Sequence, residues 1–187
     1  MVRSFDATAV DAEWLSGLCA DAMWAPTAGN TAGVRMHVIG PELVASYFEV
    51  ATDERWRANA RRSASLMGAG AAVLVTSRPS DYFERYGEPD KAASGLDVAS
   101  GWTIPYWHTD AAMATMALLL LLEEAGWAAT IWGNFRRQSE VLSWARIVDE
   151  SLFATVLVGR DGGDDVRSAS LDRPVPARTD RVRRVGS

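Results

Sequence analysis

The run from Asp110 to Gly126, DAAMATMALLLLLEEAG, constrains the fold more than any other stretch of the chain. Its alanines, leucines and methionines are strong helix formers, and Gly126 supplies a stop where the pattern ends. Apolar residues run nearly all the way round the helical circumference. The segment therefore predicts a helix buried on most sides, either central to the domain or lying in a subunit interface. It does not predict a membrane span: Ala111 to Leu122 falls far short of the roughly 20 apolar residues a bilayer requires, and Glu123 and Glu124 follow directly.

Shorter segments alternate around this helix. Trp14, Leu15, Leu18, Cys19, Ala22 and Met23 recur at helical spacing, which predicts a first helix over Asp11 to Ala25, with Asp11 and Glu13 at its positive end. Pro26, Gly29 and Gly33 break that pattern, and Val34 to Ile39 alternates as a strand does. Pro41 opens a second helix to Ala51, and Arg55 to Met67 reads as another. AAVLVT, from Ala71 to Thr76, has the length and continuity of a strand buried on both faces. After the long helix, Ala128 to Trp132 reads as a strand, Gln138 to Ile147 as a short helix, and Leu152 to Val158 as a final strand. Such alternation implies one α/β or α+β sheet with helices packed on its faces. Residues 1–159 then form the domain, and 160–187, rich in Asp, Gly, Ser, Pro and Arg, an extended arginine-rich tail of the same domain.

Between Ser77 and Tyr106, prolines and glycines interleave with Tyr82, Phe83, Tyr86 and Trp102. A connection this long is functional or carries short helices of its own, and its aromatic content reads as a lid or a subunit-wrapping arm.

Several chemistries are excluded or disfavoured. A net charge of −5 repels nucleic acid, although arginines crowd at Arg55, Arg57, Arg61 and Arg62 and again from Arg173 to Arg184. These runs read as solvated faces or as local anion sites. Cys19 is the single cysteine, and His37 and His108 are the only histidines, without CxxC or HExxH spacing, so no zinc site is expected. No GxSxG elbow, GxGxxG turn or P-loop occurs. With no cationic and apolar leader visible at the N-terminus, a cytoplasmic location is expected.

Two segments remain distinctive: APTAGNTA from Ala25 to Ala32, and TIWGNF from Thr130 to Phe135 after the long helix. In that order and separation they resemble the nitroreductase family of flavin enzymes, whose members carry an APSxxN-type turn after the first helix. RYGEPDK at Arg85 to Lys91, PYWHTDAAMATM at Pro105 to Met116 and RSASL at Arg167 to Leu171 look like small nitroreductase-like proteins of high-GC bacteria.

The resemblance implies an α+β three-layer sandwich, with a central mixed or antiparallel sheet flanked by helices, forming an obligate homodimer with FMN at the subunit interface. Because a flavin carries the redox chemistry itself, the protein needs no nucleophile or catalytic base. Pro26, Thr27, Ala28 and Asn30 match the family turn at the polar edge of the flavin ring. Ile131, Trp132 and Gly133 match the stretch beside the ring, where backbone amides donate and Gly133 permits close approach. Arg3 and Ser4 match the end of the phosphate-holding Arg-Ser motif, and Arg173 stands where a C-terminal arginine is sought. Tyr82, Tyr86, Trp102, Tyr106 and Trp107 would supply stacking walls for a planar acceptor, with NAD(P)H as the electron donor.

The arginine motifs are thinner than the family's, since Asp172-Arg173-Pro174-Val175-Pro176 stands where a basic run is expected. Arg35 either compensates at the phosphate, pairs with an acid or sits at the strand-end surface. His108 is either a proton donor to a reduced acceptor or structural. Two alternatives to the reductase follow: a flavin-free binding or partner subunit on the same fold, and a flavin-dependent dehydrogenase of a small natural product.

Overall fold

The structure is a computed structural model that describes residues 2–58, 60–134, 136–163 and 169–185, without the side chains of 60–63, 169 and 170. Phe135, Arg167 and Ser168 lie outside the described residues, as do the side chains of Arg61 and Arg62.

The first helix, α1 (Ala12–Ala22), starts where Asp11 Oδ1 accepts the Trp14 amide at 2.6 Å, and it buries Leu15, Cys19 and Ala22 on one stripe. It stops three residues before Ala25 because the following segment turns toward Pro26, which disfavours helical backbone before it. Strand β1 (Val34–Ile39) and helix α2 (Pro41–Ala51), with its proline in the first turn, follow as the sequence reads. The expected helix over Arg55–Met67 is two pieces, α3 (Glu54–Ala58) and α4 (Ala60–Met67). Strand β2 (Ala71–Ser77) is buried along its whole length.

The stretch from Ser77 to Tyr106 is not simply a loop. Pro79 opens helix α5 (Pro79–Gly87), and short 3-10 turns follow at Ala92–Ser94 and Ala99–Gly101. Pro79 is a first-turn proline here rather than a breaker. Helix α6 (Tyr106–Glu124) begins four residues earlier than Asp110, with Pro105 at its cap and its carbonyl accepting the His108 amide at 2.9 Å. Strand β3 (Ala128–Trp132), helix α7 (Gln138–Trp144) and strand β4 (Ser151–Gly159) complete the domain. Beyond it, Leu171 to Val185 is exposed throughout, with 3-10 turns at Ala169–Asp172 and Thr179–Arg181.

The described strands form one sheet in the order β1-β2-β4-β3, antiparallel at every pairing. Alternation of side chains divides the core in two. On one face Ala71, Val73, Val75, Val156 and Val158 pack under Leu15 and Cys19 of α1 and Ala111, Ala114, Leu118 and Leu122 of α6. On the other, Ala72, Leu74, Leu152 and Leu157 pack under Val44, Tyr47 and Phe48 of α2, Leu66 of α4 and Val141 of α7. The result is a three-layer α+β sandwich. Helix α6 is not buried all round: Met116 and Leu120 are 52% and 59% exposed, so one apolar side of it faces away from the sheet. No described helix is long and apolar enough to cross a membrane.

Candidate functional site

Between α1 and β1 the chain makes a 3-10 turn at Ala28–Asn30 in which Gly29, Asn30 and, just beyond, Ala32 have φ of 62°, 54° and 52°. Left-handed backbone at a non-glycine residue costs on the order of 1 kcal/mol, so neighbouring contacts must hold it. They are on hand. Asp110 Oδ2 accepts the Ala28 amide at 2.8 Å, and Arg85 Nε donates to the Gly29 carbonyl at 2.9 Å. Inside the turn, Thr27 Oγ1 accepts the Ala32 amide at 3.3 Å, and the Thr31 hydroxyl donates to the Ala28 carbonyl. The Arg85 guanidinium is itself fixed by two 2.8 Å bonds to the Asp90 carboxylate and one of 3.0 Å to Glu88, so the RYGEPDK segment acts as a clamp on the turn. Asn30 is left exposed at its tip.

Beside the turn stands an aromatic cluster. Tyr86 and Trp102 meet edge to face at 4.8 Å, Trp102 reaches Tyr106 at 5.7 Å, and its indole N–H donates to the Leu96 carbonyl at 2.7 Å. A cleft of about 450 Å³ lies between Ala28 and Tyr86, Leu96, Trp102, Ile104 and Tyr106. Tyr82 and Trp107 stand behind these walls. Tyr82 is fully buried, with its O–H on Asp110 Oδ2, and a Cβ at Gly33 would lie 2.4 Å from its ring. Burial, and then the adjacent Asp110 carboxylate, hold the Tyr82 phenol far above its ordinary range. His108 is flanked by Trp107 and Phe153, and burial lowers its pKa, which favours the neutral imidazole. His108 Nδ1 and Asp110 Oδ1 are both buried and have no hydrogen-bond partner among the described residues.

The second group of candidate residues lies on the opposite edge strand, β3. Val2 donates its amide to the Ala129 carbonyl at 3.1 Å on the outer side of that strand, so by alternation Ile131 also turns its amide to the open edge. The Trp132 side chain points to the α2 face, where it packs against Tyr47, Phe48 and Trp56. Gly133 leads into Asn134, whose carboxamide is buried in a closed ring of hydrogen bonds with Tyr47 and Thr155.

The turn and the start of β4 share one end of the sheet, by the pairings Val34↔Ser77 and Ser77↔Ser151, whereas β3 runs toward that end but stops at Trp132, opposite Thr155 in the middle of β4. Arg3 and Ser4 are at the other end, where Phe5 bridges Asp161 and the Ser4 carbonyl accepts the Gly162 amide. Arg173 lies in the exposed stretch after Gly163, and Arg35 is taken up by Asp81 at 2.8 Å and by the Ala32 carbonyl. One chain thus presents two separate groups of candidate residues rather than a single enclosed site.

Asp110, Arg85 and the Tyr47–Thr155–Asn134 ring escape the sequence reading. A signal for Asp110 exists in hindsight: a lone carboxylate among apolar residues near the head of a helix needs donors from elsewhere. Arg85 carries a weaker one, with Glu88 and Asp90 within reach of it.

Comparisons with known proteins agree with this architecture. The family described as the nitroreductase family matches residues 1–160. A comparison with curated proteins finds no match. Among solved structures, a nitroreductase family protein from Streptococcus pneumoniae superposes with a TM-score of 0.72 at 15% identity, covering 98% of this chain and 94% of that one. A candidate NAD(P)H:FMN oxidoreductase from Staphylococcus epidermidis gives 0.67 at 16% identity, covering 98% and 90%. A candidate nitroreductase from Exiguobacterium sibiricum in complex with FMN gives 0.66 at 15% identity, covering 91% and 90%. With the family match spanning the whole sandwich and the solved structures sharing its fold, the chain belongs to the nitroreductase family.

Proposed function

We propose that this protein is an FMN-dependent oxidoreductase that works as a homodimer, passing electrons from NAD(P)H to a small planar acceptor such as a nitroaromatic or a quinone. The observation that carries the reading is the left-handed turn at Gly29–Ala32, held in place by Asp110 and Arg85 and opening beside the cleft walled by Tyr86, Trp102 and Tyr106. Strained backbone braced in this way is a feature of ligand-holding sites. The Staphylococcus and Exiguobacterium proteins, described with FMN, support the choice of cofactor.

The residues fit such a group. Asn30 is exposed and has both donors and acceptors to offer a ring edge, while Pro26, Thr27 and Ala28 set the turn's approach. Ile131 and Gly133 offer outward backbone on an open strand, with the Trp132 side chain turned away from that approach. Arg3 and Ser4 would meet the phosphate, with Arg173 as a further cation. Arg35 is engaged by Asp81 and serves the turn and the α5 head instead. The turn and the β3 edge lie on opposite edges of the sheet, and the apolar side of α6 carrying Met116 and Leu120 is uncovered, which supports a second copy completing the site. Held by these residues, FMN would supply the two-electron redox chemistry that links donor and acceptor. The chain's part would be to orient the ring and stack the acceptor.

The absorbance spectrum of the protein as purified tests the reading: flavin bands are expected. FMN at a hundredfold excess over its dissociation constant should add about 2.7 kcal/mol of stability, an upward shift of roughly 5–10 °C for a chain of this size. Colourless protein whose melting temperature ignores FMN would support the flavin-free partner subunit instead.

A further inference from the structure

The rings that wall the cleft beside the left-handed turn do not lie parallel. Tyr86 meets Trp102 at 75° between planes and Trp102 meets Tyr106 at 55°, so the three make a corner rather than a stack. A flat molecule can lie against only one of them. Tyr106 is 39% exposed, and Tyr86 and Trp102 are half-buried, which leaves ring surface open to a ligand. The corner also holds its shape. Trp102 Nε1 donates to the Leu96 carbonyl at 2.7 Å, and Gly101 passes so near Gly95 that a Cβ on it would lie 2.2 Å from the Gly95 carbonyl oxygen. The loop that carries Trp102 is closed on itself, so a ligand need not order it.

Charge narrows the choice of ligand. No charged side chain lines the cleft among the described residues. Around it, Glu88 and Asp90 are engaged by Arg85, and Lys91 Nζ lies 5.8 Å from the Tyr86 ring centroid, within the range of cation–π attraction. The chain thus already places an ammonium on one of these rings. Asp97 is uncommitted. It is exposed, it follows Leu96 of the lining, and a Cβ on Gly87 would lie 3.7 Å from its own, which sets it beside Tyr86 at the rim. Its carboxylate makes no hydrogen bond or ion pair with the described residues. Electron-rich rings at steep angles, a free carboxylate at the rim and no cation in the lining together select a compact positive group. An alkylated ammonium points methyl groups in several directions and meets several rings at once, whereas an anion would be repelled by Asp97.

We propose that this cleft binds an organic cation, with an alkylated ammonium group seated in the corner of Tyr86, Trp102 and Tyr106 and balanced by Asp97. The proposal deepens the reading above: it rests on that reading for the cleft as the entry of the small molecule, and adds that the molecule is positively charged.

Calorimetric titration of the full chain with choline and with 3,3-dimethylbutan-1-ol, which has the same shape with carbon in place of the charged nitrogen, reads the proposal. Choline should bind more tightly by about tenfold or more. Tyr106→Leu and Asp97→Asn should each weaken choline by about fivefold and leave the alcohol unchanged, its binding also reporting an intact fold. Tyr106→Phe keeps the ring and should retain choline. No saturation by choline, equal affinity for the two molecules, or wild-type choline affinity in both Tyr106→Leu and Asp97→Asn overturns the proposal. The same titrations with FMN present keep the two readings apart. Choline held by a chain that takes no FMN counts against the oxidoreductase alone, and FMN bound by a chain that refuses choline counts against the cation site alone.

Discussion

Tyr82 donates its phenolic hydrogen to Asp110 Oδ2 at 2.9 Å, and the same oxygen accepts the Ala28 amide at 2.8 Å. A single buried carboxylate oxygen thereby joins α5, the head of α6 and the left-handed turn, three parts of the chain that are far apart in sequence. Asp110→Ala would leave a buried phenol and a buried amide without partners, each costing about 1–3 kcal/mol, offset in part by removing the cost of burying the charge. A loss of about 2–4 kcal/mol in urea-unfolding free energy is expected. Asp110→Asn keeps an acceptor and should lose about half as much. A midpoint unchanged in Asp110→Ala would show that the carboxylate does not hold the turn.

Arg35 gives a sharper test of how its charge is used. Its guanidinium is 38% exposed and paired with Asp81 at 2.8 Å, so the pair should be worth no more than about 1 kcal/mol. Arg35→Gln is expected to lower stability by less than that and to leave FMN affinity within twofold of wild type. A tenfold loss of affinity, read by fluorescence titration of the flavin, would return Arg35 to the phosphate.

Much of the fold is legible in the sequence where local and tertiary demands agree. Val34–Ile39, Pro41–Ala51 and Ala128–Trp132 match their elements end to end, because strand alternation, a first-turn proline and glycine stops all mark the same boundaries. The failures have a common cause. Pro79 and Pro105 punctuate a loop when read alone, yet each opens a helix whose aromatic side chains are secured by contacts distant in sequence, Tyr82 on Asp110 and Trp107 against Tyr82 among them. The same holds for the site. Asn30 and Gly133 stand out in local motifs, whereas Asp110, Arg85 and Thr155 gain their roles from partners 82, 56 and 21 residues away.

The ring formed by Tyr47, Thr155 and Asn134 is closed and directional. Tyr47 donates to Thr155 Oγ1 at 2.7 Å, Thr155 to Asn134 Oδ1 at 2.6 Å, and Asn134 Nδ2 back to the Tyr47 oxygen at 3.0 Å. Tyr47→Phe deletes two of these bonds and strands a buried amide donor, for an expected loss of about 2–3 kcal/mol. Since Asn134 directly follows Gly133, the exit of β3 should loosen with it. Hydrogen exchange at the Thr130 and Trp132 amides, which face β4, is expected to accelerate more than exchange along β2; a uniform acceleration would mean that the ring stabilises the fold without fixing the strand end.

Alkaline pH should unfold this protein through groups that burial keeps neutral. Burial raises the Tyr47 phenol from 10.0 to about 12, against the opposing pull of its hydrogen bonds to Thr155 and Asn134, and raises the Cys19 thiol from 9.0 to about 12. The unfolded chain therefore ionises first as pH rises. The stability these groups contribute is whole below about pH 9 and falls by about 1.4 kcal/mol per pH unit for each group, until the folded form also ionises near pH 12. Urea-unfolding free energies measured from pH 8 to pH 11 should stay level to about pH 9 and then decline with increasing slope past pH 10. Cys19→Ala should delay the onset by about one pH unit, and Tyr47→Phe should make the part past pH 10 shallower without levelling it, because the Tyr82 phenol, also held high by burial and Asp110, contributes there too. A stability that stays level from pH 9 to pH 11 would mean that neither group is shielded as the packing around it requires.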